Sequence, residues 1–189
     1  AARERGADIV NCGIQEMNPD GSIGRVFIDD ATAPDYHARM VSARALSVAC
    51  GRLYRRDLFT EHAIHFPEST LHEDVFTTHK TYFFARRAAT VRAPLYVWRR
   101  RDGSISKSVT RRHIDDLFRA FDDTYVFATQ NNALAALSPS LYRRCAHYAS
   151  GLAGKIYEEQ QGAAEGMAEL RRHLVTKIDE SPFFSDKML

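Results

Sequence analysis

The sequence predicts an α/β unit followed by an all-helical appendage, and three observations predict it. Short apolar runs separated by turn residues fill the first hundred or so positions, as strands and short helices require. From Ile114 onward apolar residues recur only at helical spacing. Turn signals such as Asn18-Pro19-Asp20-Gly21 and Asp102-Gly103 break up the first part, and Ser138-Pro139 and Gly162 punctuate the joins of the second. The division falls near Arg111, giving an α/β part over 1–110 and a helical part over 111–189.

The elements follow in order. Ala1 to Gly6 reads as the last turn of a helix, with Gly6 where a left-handed cap belongs. Asp8 to Ile14 is a short apolar strand, and Asn18-Pro19-Asp20-Gly21 is a turn that sends Ile23 to Ile28 back as a hairpin. Ala31 to Ala45 reads as loop followed by helix. Ser47 to Tyr54 is a strand, with a short helix from Arg56 to His62 after it. Ser69 and Thr70 offer cap oxygens to a helix carrying Glu73 and Asp74 in its first turn and running to Arg86, with Val75, His79, Tyr82 and Arg86 on one stripe. Pro94 to Trp98 is a strand broken by Asp102-Gly103. Three helical stripes then follow, one through Ile114, Leu117, Phe118, Phe121 and Tyr125, one through Leu141, Cys145, Tyr148, Leu152 and Ile156, and one through Met167, Leu170, Leu174 and Ile178. Ser138-Pro139 and Gly162 mark the joins.

Composition bounds the function. The 189 residues are 44% hydrophobic and 26% charged, ordinary for a globular protein. The net charge of +2 makes no overall field for nucleic acid or an anionic membrane. The arginine pairs at 55–56, 86–87, 111–112, 143–144 and 171–172, and the triple at 99–101, are scattered over six elements. They read as solvated helix faces rather than a continuous nucleic-acid groove. Cys12, Cys50 and Cys145 lie far apart and suit a reducing cytosol better than a disulfide framework or a zinc knuckle. No apolar run approaches the ~20 residues of a spanning helix.

Two segments bear chemistry. In Leu71-His72-Glu73-Asp74-Val75-Phe76, adjacent carboxylates at a helix start point about 100° apart around the axis, so they cannot share one task. One can face a cleft as a general base while the other is held by a cap or a cation. On local grounds alone the stronger reading is a pair of helix-dipole partners. In Trp98-Arg99-Arg100-Arg101-Asp102-Gly103-Ser104-Ile105-Ser106, three guanidinium groups, a glycine and two hydroxyls follow a strand, and an extended chain sets Arg99 and Arg101 on one face. That set can neutralise a diphosphate; a solvated basic loop accounts for it equally well. His62, His65 and His72 invite a metal site, but Phe66-Pro67 ends the helix and no fourth ligand is evident. His113, His147 and His173 read as surface residues.

In chain order, Gly51 to Phe59 (GRLYRRDLF), Phe66 to Asp74 (FPESTLHED) and Pro94 to Ser106 (PLYVWRRRDGSIS) resemble three motifs of bacterial family-2 glycosyltransferases, the capsule and surface-polysaccharide type. The opening ARERGADIVNCG resembles the helix and strand that follow that family's metal-binding Asp-x-Asp, and the resemblance covers roughly Ala1 to Ser108. It implies a partial GT-A (Rossmann-like) domain and an inverting transfer of sugar from a nucleotide-sugar to a glycan or lipid-linked glycan, in which base and leaving group take opposite sides of the sugar. It implies Asp74 as the catalytic base and Glu73 as its structural or acceptor-contacting neighbour. Arg99, Arg101, Ser104 and Ser106 fall in the loop over the leaving diphosphate, and His72 and Arg52 on the acceptor side. It also implies manganese or magnesium in the complete enzyme, with ligands outside this chain, because no Asp-x-Asp stands at a suitable place. Asp29-Asp30, Asp115-Asp116 and Asp122-Asp123 are adjacent pairs in other contexts, and Cys50-Gly51-Arg52 replaces the family's Trp-Asn-Lys. The expectation is therefore an acceptor-side fragment, inactive by itself, that self-associates through its helices and works in the cytoplasm or at the inner face of the membrane. The reading from a different class is a non-catalytic scaffold of the same shape.

Overall fold

A computed structural model describes residues 2–28, 35, 39, 48–101, 104, 108–160 and 164–184. The chain is mixed α/β with a helical C-terminal region, and its contacts divide it into two compact units. The sheet unit holds Ala1–Phe66 and Thr77–Ser104, and the helical unit holds Pro67–Phe76 and Ile105–Leu189. Residues 67–76, which a cut at 110/111 leaves with the strands, thus group with the helices.

In the sheet unit, α1 (Ala2–Arg5) ends at Gly6, whose φ of +55° is the left-handed cap the sequence predicts. Strand β1 (Ile9–Met17) is the shared strand of a four-stranded sheet. It pairs antiparallel with β2 (Ile23–Phe27) through the predicted hairpin, and with β3 (Arg52–Tyr54) at Ile9 to Asn11. Gly21, at φ +84°, makes the hairpin turn. Strand β4 (Ala88–Arg99) runs parallel to β1 along its length and begins six residues before the predicted start. Strand β3 is shorter than expected: Cys50 and Gly51 form a bend in which Gly51 turns at φ +69°, and although its carbonyl accepts the Cys12 amide at 2.8 Å, the strand begins only at Arg52. The short helix α2 occupies Asp57–Thr60. Buried Asp8 ties these pieces together: its carboxylate pairs with Arg55 at 2.7 Å and accepts the Arg86 and Arg87 amides at 2.8 and 3.1 Å. The region 31–45, read as loop and helix, lies mostly outside the described residues.

Helix α3 (Glu73–Phe84) begins later than the cap residues suggest. Thr70 Oγ1 donates to the Glu68 carbonyl instead of capping, and the His72 carbonyl accepts the first helical bonds, from Val75 at 2.9 Å and Phe76 at 3.3 Å. Val75, His79 and Tyr82 are buried along the predicted stripe, while Arg86 lies past the helix end and is exposed.

The helical unit contains α4 (Arg111–Gln130), α5 (Leu134–Gln160) and α6 (Ala164–Glu180). Its core draws on the stripes read from the sequence: Ile114, Leu117 and Phe121 of α4, Leu141, Cys145 and Ile156 of α5, and Leu174 of α6 are buried beside Phe183, whereas Tyr125, Tyr148, Met167, Leu170 and Ile178 are half-buried. Pro139 is not a join. It lies inside α5, near enough to the helix start that the missing N–H costs one bond, while Ser138 Oγ donates to the Leu134 carbonyl at 2.6 Å. Gly162 and the predicted breaker Asp102-Gly103 lie outside the described residues.

Candidate functional site

In the helical unit, the segment before α3 takes two unusual backbone turns. Ser69 (φ +49°) and His72 (φ +60°) are non-glycine residues in the left-handed region, a conformation that persists only where the surroundings enforce it. Three anchors do so. The Leu71 amide donates to Asp116 Oδ2 at 3.0 Å, Arg112 donates to the Ser69 carbonyl, and Arg144 donates to the Val75 carbonyl at 3.2 Å. Asp116 is buried and also receives Arg112 at 3.3 Å and Arg119 at 3.0 Å. Burial alone would raise its pKa, but these donors outweigh that and hold the carboxyl below its ordinary range.

Glu73 is exposed at the start of α3, and Asp74 is partly buried. Loss of water around Asp74, reinforced by the neighbouring Glu73 charge and only partly offset by Arg144, pushes its pKa up to about 6. The adjacent carboxylates thus have different environments, as their angular separation on the helix requires. His72 is shifted the other way, to about 4, by burial and by His113 beside it. The two imidazoles meet edge to face at 6.0 Å, and His72 Nε2 is buried without a hydrogen-bond partner among the described residues. His113 itself is buried, correcting its surface assignment. Its Nδ1 accepts the Thr110 amide at 3.2 Å in a capping box, which places the ring proton of the neutral form on Nε2. His173 is likewise mostly buried against Asp115 at 2.7 Å, while His147 is exposed as predicted.

In the sheet unit, Arg99 ends β4 and Arg101 follows it, both exposed. Ser104 is half-buried, and Ser106 lies outside the described residues. Arg52 is committed to its own unit: it donates to Asn11 Oδ1 at 3.1 Å and to the Val48 carbonyl, and its guanidinium lies 5.5 Å over the Tyr82 ring. Tyr82 shares the same Asn11 oxygen at 2.7 Å. A hollow of about 630 Å³ opens beside this cluster, lined by Asn11, Cys12, Cys50, Gly51, Leu95 and Tyr96 among others. His62, weighed as a metal ligand, stacks on Phe84 at 3.7 Å. Among the described residues no three His, Cys, Asp or Glu side chains converge as metal ligands would.

Sequence reasoning missed Arg112, His113, Asp116 and Arg144. Local spacing carries no signal for Asp116: two residues past Ile114, it lies about 200° around the helix from it and about 100° from Leu117, off the apolar stripe.

No family model matches the chain. Among curated proteins, EpsH of Bacillus subtilis (strain 168), provisionally named a glycosyltransferase, is 25% identical over 118 residues, which are 61% of this chain and 34% of EpsH. Among solved structures, the crystal structure of S. aureus TarS 1–349 matches with a TM-score of 0.54 and 13% identity, over 94% of this chain and 47% of that one. The chain therefore spans about a third of EpsH and about half of the TarS chain. It is glycosyltransferase-like by distant similarity, and the TarS match shows likeness of fold. Among the described residues no helix is long and apolar enough to cross a membrane.

Proposed function

We propose that this chain is the acceptor-side part of an inverting, GT-A-type glycosyltransferase that moves a sugar from a nucleotide-sugar to a glycan or lipid-linked glycan. The observation that carries the reading is Asp74, a carboxyl with its pKa raised to about 6, held at a helix start by anchors from two other helices. Such a group is mostly ionised at neutral pH yet more basic than an ordinary carboxylate, as a general base should be.

The step is a single displacement. Asp74 takes the proton of the acceptor hydroxyl as its oxygen bonds to the anomeric carbon. The bond from that carbon to the diphosphate breaks, and its electron pair leaves with the diphosphate. Arg99 and Arg101 have the role of neutralising that leaving charge. His72, neutral at working pH, is assigned to the acceptor side beside the base by its place in the motif. Manganese or magnesium would be held by residues outside this chain, and turnover requires the whole protein.

The test is a screen of nucleotide-sugars with manganese in the whole protein, with Asp74→Asn beside wild type. A ~100- to 10,000-fold loss of transfer with donor binding retained is expected for a lost general base. Undiminished transfer by Asp74→Asn would remove Asp74 from the role. Arg99→Ala and Arg101→Ala should instead weaken donor or diphosphate binding along with rate.

A further inference from the structure

The segment carrying the candidate base is gripped on both sides of Thr70. Arg112 holds the Ser69 carbonyl and Asp116 holds the Leu71 amide, and these two side chains are bonded to each other at 3.3 Å. The gripped residues adjoin the two left-handed positions, Ser69 and His72. The His72 carbonyl in turn accepts the first bonds of α3, so its orientation sets where the helix starts and where Asp74, two residues on, is directed.

We propose that Asp116 is a positioning residue for Asp74, acting through the Leu71 amide to fix the His72 turn. The inference rests on the reading of Asp74 as the base, but the linkage itself is a property of the helical unit. Asp116 touches neither donor nor acceptor in this scheme. Arg112 and Arg119 keep its carboxylate ionised and in place. Among the described residues, Glu73 on its own helix and Arg144 from α5 act on the Asp74 carboxyl, while Asp116 pairs with Arg112 and Arg119. A change at Asp116 should therefore reach Asp74 through backbone position rather than through direct charge.

Two readouts on residues 1–189 test this without any turnover: the NMR titration of the Asp74 carboxyl and hydrogen exchange at the Leu71 amide. In wild type, Asp74 should titrate near about 6. In Asp116→Ala the loosened turn admits water, so the midpoint should fall by roughly a unit or more toward the ordinary range near ~4. Leu71 exchange should rise ~10-fold or more as the local structure opens. Asp116→Asn keeps an acceptor oxygen for Leu71, and both readouts should stay close to wild type. A folded Asp116→Ala with unchanged titration and exchange overturns the proposal, as does Asp116→Asn behaving like Asp116→Ala. Should Asp116→Ala fail to fold, Asp116→Ser withdraws the acceptor while remaining polar, and the same criteria apply. Full transfer by Asp74→Asn would end the base reading yet leave these two readouts standing.

Discussion

A carboxyl whose pKa is raised by folding works against the fold once it ionises. For Asp74 the stabilising contribution is present below the unfolded value near ~4 and is lost as pH rises through about 6. Asp74→Asn should therefore raise the melting temperature at pH 7, by the equivalent of on the order of 1–2 kcal/mol, with the gain shrinking toward pH 4. A helix-dipole partner predicts the opposite sign, a loss of ~0.3–1 kcal/mol at pH 7. Thermal melts at the two pH values decide the matter, and a gain in stability joined to a loss of transfer is the signature of a group kept for function. His72 acts on the acid side. Its folded pKa is depressed to about 4, so its contribution is present above ~6.5 and lost as pH falls through about 4. His72→Asn, which tolerates the left-handed backbone, should lose less stability than wild type between pH 6.5 and 4.5. An equal loss in the two proteins would show that the imidazole takes up its proton freely in the folded state.

At the scale of elements, the hydrophobic periodicities of α4 and α5 were legible because each of these helices buries one stripe, whereas of the third stripe only Leu174 is buried. Phe121 lies at 1% exposure and packs edge-on against Phe118 and Phe183. Phe121→Ala should cost ~3–5 kcal/mol in a denaturant melt, since three helices and the tail residue cannot all collapse into the gap. A cost below ~1 kcal/mol would mean that the ring does not hold the core. The arginine pairs were not legible. Read as solvated faces, several instead have a member bound to backbone: Arg87 to the Arg5 carbonyl, Arg112 to Ser69 and Arg144 to Val75. Nothing in local spacing reveals such a bond, because the acceptor is a carbonyl dozens of residues away. The same reason hid the true start of α3. Ser69 and Thr70 have the right side chains for a cap, but the groups that fix the turn, the Arg112 donor and the Asp116 acceptor, come from α4.

For the whole molecule, the order of elements could be read from the chain, while the grouping of residues 67–76 could not. A linear reading assigns a segment to the part of the chain in which it lies, whereas this one is held by contacts across 43 to 69 residues of sequence. That grouping has a consequence for truncation. Removing 111–189 leaves the sheet pairings of β1 with β2, β3 and β4 intact in sequence, but deletes Arg112, His113, Asp116 and Arg144 together. The left-handed turns at Ser69 and His72 then lose the groups that hold them, and Asp74 loses the packing that keeps water away. In the truncated protein Asp74 should titrate near the ordinary ~4, and the amides of the first turn of α3 should exchange at rates typical of frayed ends. The β1–β4 ladder amides should remain the slowest to exchange. An Asp74 midpoint still near 6 after truncation would show that the sheet unit alone creates the environment of the carboxyl, and the helices would lose their part in building the site.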